Sequence, residues 1–408
     1  MTIFGVIWIV ILIGSMFLDI KYLFFMTILS SVFQCNNVVV IGNNGIGPQI
    51  ITSIAFCIRV FILKKHEFKI KISKNFLAIE IVCIILLLIT FMSLIVNNTL
   101  IENILRYLQL VMYVLCTIAM SKISNDIEKN YVHSTIKNIT IFLIGVGFLQ
   151  LLITTGILPR LGIIRTLLYN DTLSEVVYYT RDNYFRILST YMEPSYYAGF
   201  LVGAFYYFLY MDEKKMGNYI LLFLILLQII LSFSTTAYIA FGILGILYIL
   251  KIKNLKLKIF TIIISLIGIS VLYFGFYNIL DNVIFSKSES GSANARFALD
   301  RRNQKLFAEN KIIGVGYKNA RGSSIVYTVL AEMGITGLIS YLLLNIIIFK
   351  DIFIKNKNNI SLQELGLRFA LFGVFMCQII AIPDIDICTY WMWMNLLAVI
   401  ISRYKKRR

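Results

Sequence analysis

Residues 76–96 read Phe-Leu-Ala-Ile-Glu-Ile-Val-Cys-Ile-Ile-Leu-Leu-Leu-Ile-Thr-Phe-Met-Ser-Leu-Ile-Val, an apolar run with a single acidic residue. A run of about 20 such residues is long enough for an α-helix to cross the hydrocarbon core of a bilayer. Comparable runs recur at 3–20, 22–42, 49–63, 103–121, 139–157, 190–210, 218–233, 236–250, 259–278, 325–349, 366–382 and 388–402. The sequence therefore predicts an all-α, polytopic integral membrane protein with about 12–13 transmembrane helices, forming a single membrane domain over residues 1–408.

The composition supports this class and excludes others. Hydrophobic residues make up 59% of the chain, charged residues only 14%, and the mean hydropathy is +0.82. A soluble domain could not cover so much apolar surface. The formal net charge is +17, but the lysines cluster between apolar runs, where the positive-inside rule places them, so we expect no nucleic-acid partner. The cysteines lie in or beside apolar segments without metal-ligand spacing, and we expect no metal.

The polar loops predict the orientation of the chain. Basic residues concentrate in the loops at 64–74, 122–137, 214–215, 251–258, 350–357 and 405–408. All of these loops fall on one side if the spans alternate, and that side is then cytoplasmic. The two longest polar loops, 158–189 and 279–324, are consequently expected outside the cytoplasm. The outer face therefore carries the predicted chemistry.

Loop 279–324 contains more basic than acidic residues, against the usual bias for an external loop. An anionic ligand would explain this excess, because arginine presents a planar fork that matches phosphate. The stretch that opens at Gly291 is amphipathic, so its arginines, Arg296, Arg301 and Arg302, are expected to face a pocket or the solvent. A helix that merely rests on the membrane surface fits the same pattern, and the sequence leaves both interpretations open.

A second charged stretch, Arg186-Ile-Leu-Ser-Thr-Tyr-Met-Glu-Pro-Ser-Tyr-Tyr-Ala198, lies where loop 158–189 enters the next span. Proline is tolerated in a first helical turn, so Glu193 is expected at the start of that span, beside Pro194. A simple helix cap would account for these two residues but not for Arg186 upstream. Ionisable groups at membrane depth tend to be functional. We therefore predict a functional site at the outer end of this span, where the helix begins.

Other ionisable residues narrow the choice of a proton acceptor. The two histidines, His66 and His133, lie in loops predicted to be cytoplasmic, so no external histidine base or zinc site is expected. The external acceptor is then a carboxylate, with Glu193 first, or the substrate itself. Asp384 and Asp386 form an acidic turn between two spans, which we expect to be solvated.

Four motifs follow one another over about residues 180–340. They are Arg186-x-x-Ser-x-x-x-Glu193-Pro-Ser195-x-x-Ala198, Leu231-Ser-Phe-Ser-Thr-Thr-Ala-Tyr238, Ser292-x-x-x-Arg296 with a later Gly314-x-Gly316, and Leu330-x-Glu332-x-Gly334-x-x-Gly337. In this order they resemble the Wzy-type O-antigen and capsular polysaccharide polymerases and the related O-antigen ligases, polytopic glycosyltransferases of the GT-C class. Ligases carry a histidine about nine residues before the glutamate that corresponds to Glu332, and here Ser323 stands at that position. Glu193 favours the polymerases, since ligases tend to have asparagine there.

The resemblance implies a metal-independent glycosyltransferase without a cofactor, in the bacterial cytoplasmic membrane, with its active site facing the periplasm or the cell exterior. Its substrates would be oligosaccharides linked to undecaprenyl diphosphate, and the growing chain on one lipid would move to a repeat unit on another. The implied partners are these lipids, the bilayer and a candidate chain-length regulator.

The implied catalytic residues are Glu193, Arg186 and Arg296. Glu193 would orient or deprotonate the acceptor hydroxyl, and the two arginines would stabilise the departing diphosphate. Further predicted substrate-binding residues are Arg181, Arg301, Arg302, Ser195, Tyr191, Tyr196 and Tyr317. The tyrosines could stack on sugar rings, but an interfacial aromatic belt would explain them equally.

Two other functions remain open from the sequence. An O-antigen ligase would share the donor site and differ at the acceptor side. A lipid-linked oligosaccharide flippase would have a similar length and number of spans. Transporters tend to hold their ionisable groups near the bilayer midplane and to show internal repeats, whereas the charges here concentrate in two external loops and no repeat is evident.

Overall fold

α-Helices dominate the structure, a computed structural model that describes residues 1–41, 44–65, 74–158, 167–168, 170, 180–181, 184–211, 216–256, 258–263, 270, 291–354 and 360–403. The helices in these ranges are α1 (Ile3–Phe17), α2 (Ile20–Ser30), α3 (Pro48–Lys64), α4 (Lys74–Val96), α5 (Leu100–Lys122), α6 (Lys129–Thr154), α7 (Pro194–Tyr210), α8 (Met216–Leu231), α9 (Thr235–Lys251), α10 (Gly291–Glu309), α11 (Ile325–Phe353), α12 (Leu362–Ala381) and α13 (Cys388–Ile401). Two short antiparallel pairs accompany them, β1 (Val39–Ile41) with β2 (Asn44–Ile46), and β3 (Thr180–Arg181) with β4 (Tyr184–Phe185).

Local sequence sets where several helices begin. A polar side chain before α1, α2, α9 and α12 accepts a backbone N–H of the first turn; these caps are Thr2, Asp19, Ser234 and Ser361. Such bonds satisfy amide donors that have no partner inside the helix. Pro48 and Pro194 instead occupy the first turns of α3 and α7, where the missing proline N–H costs nothing. The sequence thus fixes the start of α7, the helix that follows Glu193.

Five of the described helices are long and apolar enough to cross a membrane, namely α4 from Phe76, α5, α6, α11 and α12. The helices α1, α2, α8, α9 and α13 are also apolar but only 10–17 residues long. These apolar helices indicate a membrane-embedded protein, which confirms the helical membrane class predicted from the sequence. The number of spans, their orientation and the GT-C-like arrangement stay predictions.

The predicted span at 22–42 is wrong in its second half. Helix α2 ends at Ser30, and β1 then pairs with β2 through Val39 and Ile46, Val40 and Gly45, and Ile41 and Asn44. A run of β-branched residues before a Gly-Asn-Asn-Gly sequence favours a hairpin over a helix. The predicted span at 259–278, the loop at 158–189 and the first part of the loop at 279–324 lie largely outside the described residues.

Helix α7 is buried along most of its length and packs extensively against α12. Glycines permit this close approach. A Cβ atom on Gly203 would lie 2.9 Å from the Ala370 carbonyl oxygen, and one on Gly366 would lie 3.2 Å from the Tyr207 carbonyl oxygen. Small residues at helix crossings let backbones approach and gain dispersion contacts, which stabilise helix association in lipid. The pairing holds α7, and with it Glu193, firmly in the bundle.

We expect Gly203→Leu to lower stability by about 1–3 kcal/mol or more, because the new side chain would overlap the Ala370 backbone. Gly242→Leu is the matched control, since Gly242 lies inside α9 and no neighbouring group of the described residues comes within 4 Å of the position that its Cβ would take. The melting temperature of the detergent-solubilised protein measures both effects. Equal melting temperatures for the two variants would contradict the packing of α7 on α12.

Helix α11 is interrupted at Gly334, whose φ of 64° and ψ of −162° are not helical. The segment before α11 fills the interruption with backbone hydrogen bonds. The Ile335 N–H donates to the Lys311 carbonyl oxygen at 2.8 Å, and the Gly316 N–H donates to the Glu332 carbonyl oxygen at 3.0 Å. Backbone N–H and C=O groups that lose their helical partners at the break therefore form hydrogen bonds inside the protein. The break brings Glu332 next to the segment at 311–318.

Candidate active site at the start of α7

The segment at 186–193 enters the bundle immediately before α7 and is bonded to other elements along its backbone. The N–H groups of Leu188 and Ser189 both donate to Gln150 Oε1 on α6, each at 3.1 Å. The Cys35 N–H donates to the Thr190 carbonyl oxygen at 3.3 Å. Gln150 is 3% exposed, so its bonds form in the interior. The segment therefore has a fixed position relative to α6 and to the chain after α2.

Arg186, at the start of this segment, is buried against the turn between α8 and α9. Its Nε donates to the Ser232 carbonyl oxygen at 3.1 Å, and its charge lies near Tyr238 on α9. The turn is tight, and Phe233 adopts a positive φ of 45° there. The structure thus brings the Arg186 motif into contact with the Ser/Thr-rich motif around Ser232, a contact that the sequence did not predict.

Glu193 occupies the N-cap position of α7 in an extended backbone conformation, as predicted. Its side chain makes no capping hydrogen bond to the helix and is exposed. The Ser195 hydroxyl donates to Glu193 Oε2 at 3.1 Å, which restrains the carboxylate. A capping role alone therefore does not explain Glu193. The carboxylate is accessible to a ligand at the N-terminal end of a buried helix.

A guanidinium group lies beside this carboxylate. Arg321 interacts electrostatically with Glu193 and hydrogen bonds to Tyr196, in the first turn of α7. Its Nη2 lies 3.8 Å from Asp384 Oδ2, and its side chain is 65% exposed. Burial alone would lower the pKa of Arg321, but the neighbouring Asp384, Tyr196 and Glu193 raise it above the ordinary value. Arg321 is therefore a permanent cation at the Glu193 side of the site.

An ion cluster lies next to Arg321, formed by Lys318, Asp384 and Asp386; we refer to it as the Lys318 cluster. Lys318 Nζ lies 2.6 Å from Asp384 Oδ1 and 2.7 Å from Asp386 Oδ1. Burial would lower the pKa of Lys318, but Asp386, Asp384 and Glu332 raise it above the ordinary value. Burial would likewise raise the pKa of Asp384, but Lys318 and Arg321 hold it below the ordinary value. Lys318 and Asp384 are therefore both charged at neutral pH.

The expectation that the Asp384–Asp386 turn is solvated is wrong. The Asp386 side chain is 5% exposed and that of Asp384 is 25% exposed, and both contact Lys318. The turn joins α12 to α13, two helices that are buried along most of their length, and the loop that carries Lys318 covers it. A buried carboxylate needs a partner, which here comes from a loop 66 residues earlier in the chain.

The predicted tyrosines differ in their accessibility. Tyr191 and Tyr317 are fully buried, at 0% exposure, whereas Tyr196 is half-buried beside Arg321. The Tyr191 ring packs against Tyr197 with a centroid distance of 5.7 Å. Burial, reinforced by nearby Asp386, raises the pKa of Tyr317 well above its ordinary value. Tyr196 is therefore well placed to meet a ligand, while Tyr191 and Tyr317 would have to move to stack on a sugar.

Helix α10 spans the stretch that opens at Gly291, and one of its faces docks on the chain before α11. Asp300 Oδ1 accepts the Ser323 N–H at 2.8 Å, and Asp300 Oδ2 accepts the Ser323 hydroxyl at 2.5 Å. Asn303 is 1% exposed and donates to the Tyr327 carbonyl oxygen at 3.3 Å. Ser323 stands where the O-antigen ligases carry a histidine. Its hydrogen bonds to Asp300 hold α10 in place.

The predicted arginines of α10 lie on two parts of its surface. Arg301 and Arg302 are exposed and line a cavity of about 640 Å³ together with Lys305 and Phe297. Arg296 is half-buried on the same helix. Of the remaining predicted residue, Arg181, the structure describes the backbone, which pairs with Tyr184 in the β3–β4 hairpin. The cavity on α10 is basic and has an apolar edge, which suits an amphiphilic anion.

We expect Gln150→Leu to loosen the segment at 186–193, because the Leu188 and Ser189 amides would lose a buried acceptor at a cost of about 1–3 kcal/mol. Hydrogen exchange of these two amides should accelerate. Thr155→Val is the control, since Thr155 caps the C-terminal end of the same helix and its exposed hydroxyl donates to the Leu151 carbonyl oxygen of that helix. Unchanged exchange in Gln150→Leu would show that the segment is held by other contacts.

Asp384 and Asp386 in the Lys318 cluster both form ion pairs with the Lys318 ammonium group. Within the described ranges, no three His, Cys, Asp or Glu side chains are grouped so as to hold a metal ion. The chemical groups that the structure presents here are an exposed carboxylate, a neighbouring guanidinium and a basic helix. Comparison of the chain with protein-family models and with curated proteins finds no match in either.

Proposed function

We propose that the chain is a Wzy-type oligosaccharide repeat-unit polymerase, a glycosyltransferase that moves a growing glycan from undecaprenyl diphosphate to a second lipid-linked repeat unit. The main support is the exposed and uncapped Glu193 carboxylate at the start of a buried helix, in a protein rich in apolar helices. Glycosyl transfer from a lipid diphosphate needs a proton acceptor at the attacking hydroxyl and cations at the leaving group. Glu193 offers the first, and we assign the second to the predicted arginines, with Arg321 near Glu193 as a further cation.

In the proposed reaction, the acceptor hydroxyl oxygen attacks the anomeric carbon of the donor glycan, and the bond from that carbon to the phosphate oxygen breaks. The Glu193 carboxylate takes the hydroxyl proton while Ser195 restrains its orientation. Undecaprenyl diphosphate leaves with the electron pair of the broken bond. Arg186 and Arg296 stabilise its charge, supported by Arg301 or Arg302. No metal or cofactor is part of this proposal.

The proposal also places the protein in its membrane. With the basic loops in the bacterial cytoplasm, the start of α7 and the Lys318 cluster face the periplasm or the cell exterior. Apolar helices that remain exposed in the monomer, such as α1 and α4, would contact the bilayer and the polyprenyl tails. A GT-C-like arrangement and an association with a chain-length regulator belong to the same proposal, as does a product such as O-antigen or capsule.

One observation favours a flippase as the second candidate. Helix α11 is interrupted at Gly334, beside the buried Glu332 and Lys318, and transporters often build their sites from interrupted helices. The ligase alternative has less support, because Ser323 replaces the expected histidine and donates its hydroxyl hydrogen to Asp300. The polymerase explains the exposed Glu193 and its cationic neighbour Arg321, which a flippase does not require.

The test is the size distribution of surface and lipid-linked glycan in a strain that lacks the gene, with and without restoration. Single repeat units in place of long chains would support the polymerase. Full-length glycan that stays on the lipid carrier would indicate a ligase. Unextended units retained on the cytoplasmic side would indicate a flippase.

A further inference from the structure

The backbone around Arg321 is held in place, whereas the Arg321 side chain is exposed. The neighbouring residues Ala320 and Gly322 are buried, and the Gly322 N–H donates to Thr328 Oγ1 at 2.9 Å. The Arg321 side chain is nevertheless 65% exposed. A well-anchored backbone fixes the point from which the side chain starts. Arg321 therefore extends from a defined position into the exposed region at the start of α7.

The contacts of Arg321 do not neutralise its charge fully. Asp384 places Oδ1 at 2.6 Å from Lys318 but Oδ2 at 3.8 Å from Arg321, so its closer bond goes to the lysine. A strong pair between arginine and a carboxylate has two parallel bonds of about 2.7–2.9 Å. A guanidinium carries several N–H donors, and the distant carboxylate and Tyr196 engage few of them. The donors that have no partner among the described residues suit an oxyanion that arrives from the exposed side.

We propose that Arg321 binds an oxyanion of the substrate, a phosphate or a carboxylate, at the start of α7, where Glu193 lies. Asp384 attracts Arg321 electrostatically through Oδ2, while its Oδ1 stays on Lys318. An oxyanion bound by Arg321 lies at the same end of α7 as Glu193. This inference rests on the proposed function and assigns to it a binding residue that the sequence motifs do not contain.

Two parts of a lipid-linked glycan carry a suitable oxyanion. The diphosphate of the lipid carrier is one, and an acidic sugar in the repeat unit is the other. Both match the planar fork of arginine, whereas lysine would present only a point charge. Short soluble probes separate the two sources, namely farnesyl diphosphate for the lipid diphosphate and glucuronate for the acidic sugar.

The experiment measures the affinity of both probes for the full-length protein in lipid nanodiscs, by microscale thermophoresis without an acceptor. We expect Arg321→Ala to weaken at least one probe by about ten-fold or more, and Arg321→Lys to weaken the same probe less. The matched control is Lys311→Ala, which removes an exposed cation from the same loop and should leave both affinities unchanged. The probe that is affected identifies the source of the oxyanion.

Three outcomes would overturn the inference: no binding of either probe to the wild-type protein, equal affinities in wild type and Arg321→Ala, or an equal loss in Lys311→Ala. Because binding is measured without turnover, the result is separate from the glycan profile of the deletion strain. A profile that excludes a polymerase, together with a selective loss of affinity in Arg321→Ala, would remove the proposed function and leave the oxyanion site.

Discussion

Lys318→Met is expected to prevent the protein from folding stably. The substitution leaves the Asp384 and Asp386 carboxylates close together without their shared ammonium group. Removal of one partner from a buried ion pair costs about 3–5 kcal/mol, a large part of the stability of an ordinary protein. The yield of monodisperse protein after detergent extraction, and its melting temperature, should both fall sharply.

The control for this experiment is Lys21→Met. Lys21 lies 3.4 Å from Asp19, but both side chains are largely exposed, at 42% and 53%. Such surface pairs contribute about 0–1 kcal/mol, so little change is expected. The triple variant Lys318→Met, Asp384→Asn, Asp386→Asn removes the unpaired charges and should recover part of the loss. A Lys318→Met protein as stable as wild type would show that the cluster does not support the fold.

The same cluster predicts how stability depends on pH. The pKa of Asp384 is lowered in the folded protein, so its contribution is present above the ordinary pKa of aspartate and is lost as the pH falls through the folded value. The pKa of Lys318 is raised, so its contribution is present below the ordinary pKa of lysine and is lost as the pH rises through the folded value. The cluster therefore stabilises the protein across the neutral range and weakens at both extremes.

The sequence predicted the helices well where the pattern is local. An apolar run of spanning length or a proline after Glu193 acts through neighbouring residues, so α4 and the start of α7 appear where they were expected. The error at 22–42 has a local cause too, because apolar character alone does not separate a buried helix from a β-branched hairpin. Here the glycine-rich sequence after Ile41 carried the missing signal.

The candidate site was predictable only in part, because much of it depends on contacts between distant residues. The pairing of Lys318 with Asp384 and the proximity of Arg321 to Glu193 join separate loops, and a single sequence does not show which loops meet. Gly334 offered a weak signal, since a glycine inside an apolar run can mark a break as well as a close helix contact. The burial of Tyr317 likewise follows from the loop that folds over the Asp384–Asp386 turn.

Glu193→Gln is expected to abolish polymer, with a rate loss of about 10²–10⁴, while the protein remains folded. Glutamine has the size of glutamate and can still accept the Ser195 hydrogen bond, but it cannot take a proton from the acceptor hydroxyl. The exposed position of the side chain makes a folding defect unexpected. The measurement is the glycan size distribution in the deletion strain that expresses each variant at matched protein levels.

Glu102→Gln provides the matched control, because Glu102 is also an exposed carboxylate in the first turn of a long apolar helix, α5. Arg186→Ala and Arg296→Ala are expected to abolish polymer as well, but they differ in what their loss means. Arg186 also bonds to the turn at Ser232, so its variant combines a catalytic and a structural effect. Glu193→Gln is expected to affect only the chemistry of the proposed reaction. Normal polymer from all three variants would overturn the assignment of the site, whatever the glycan profile of the deletion strain shows.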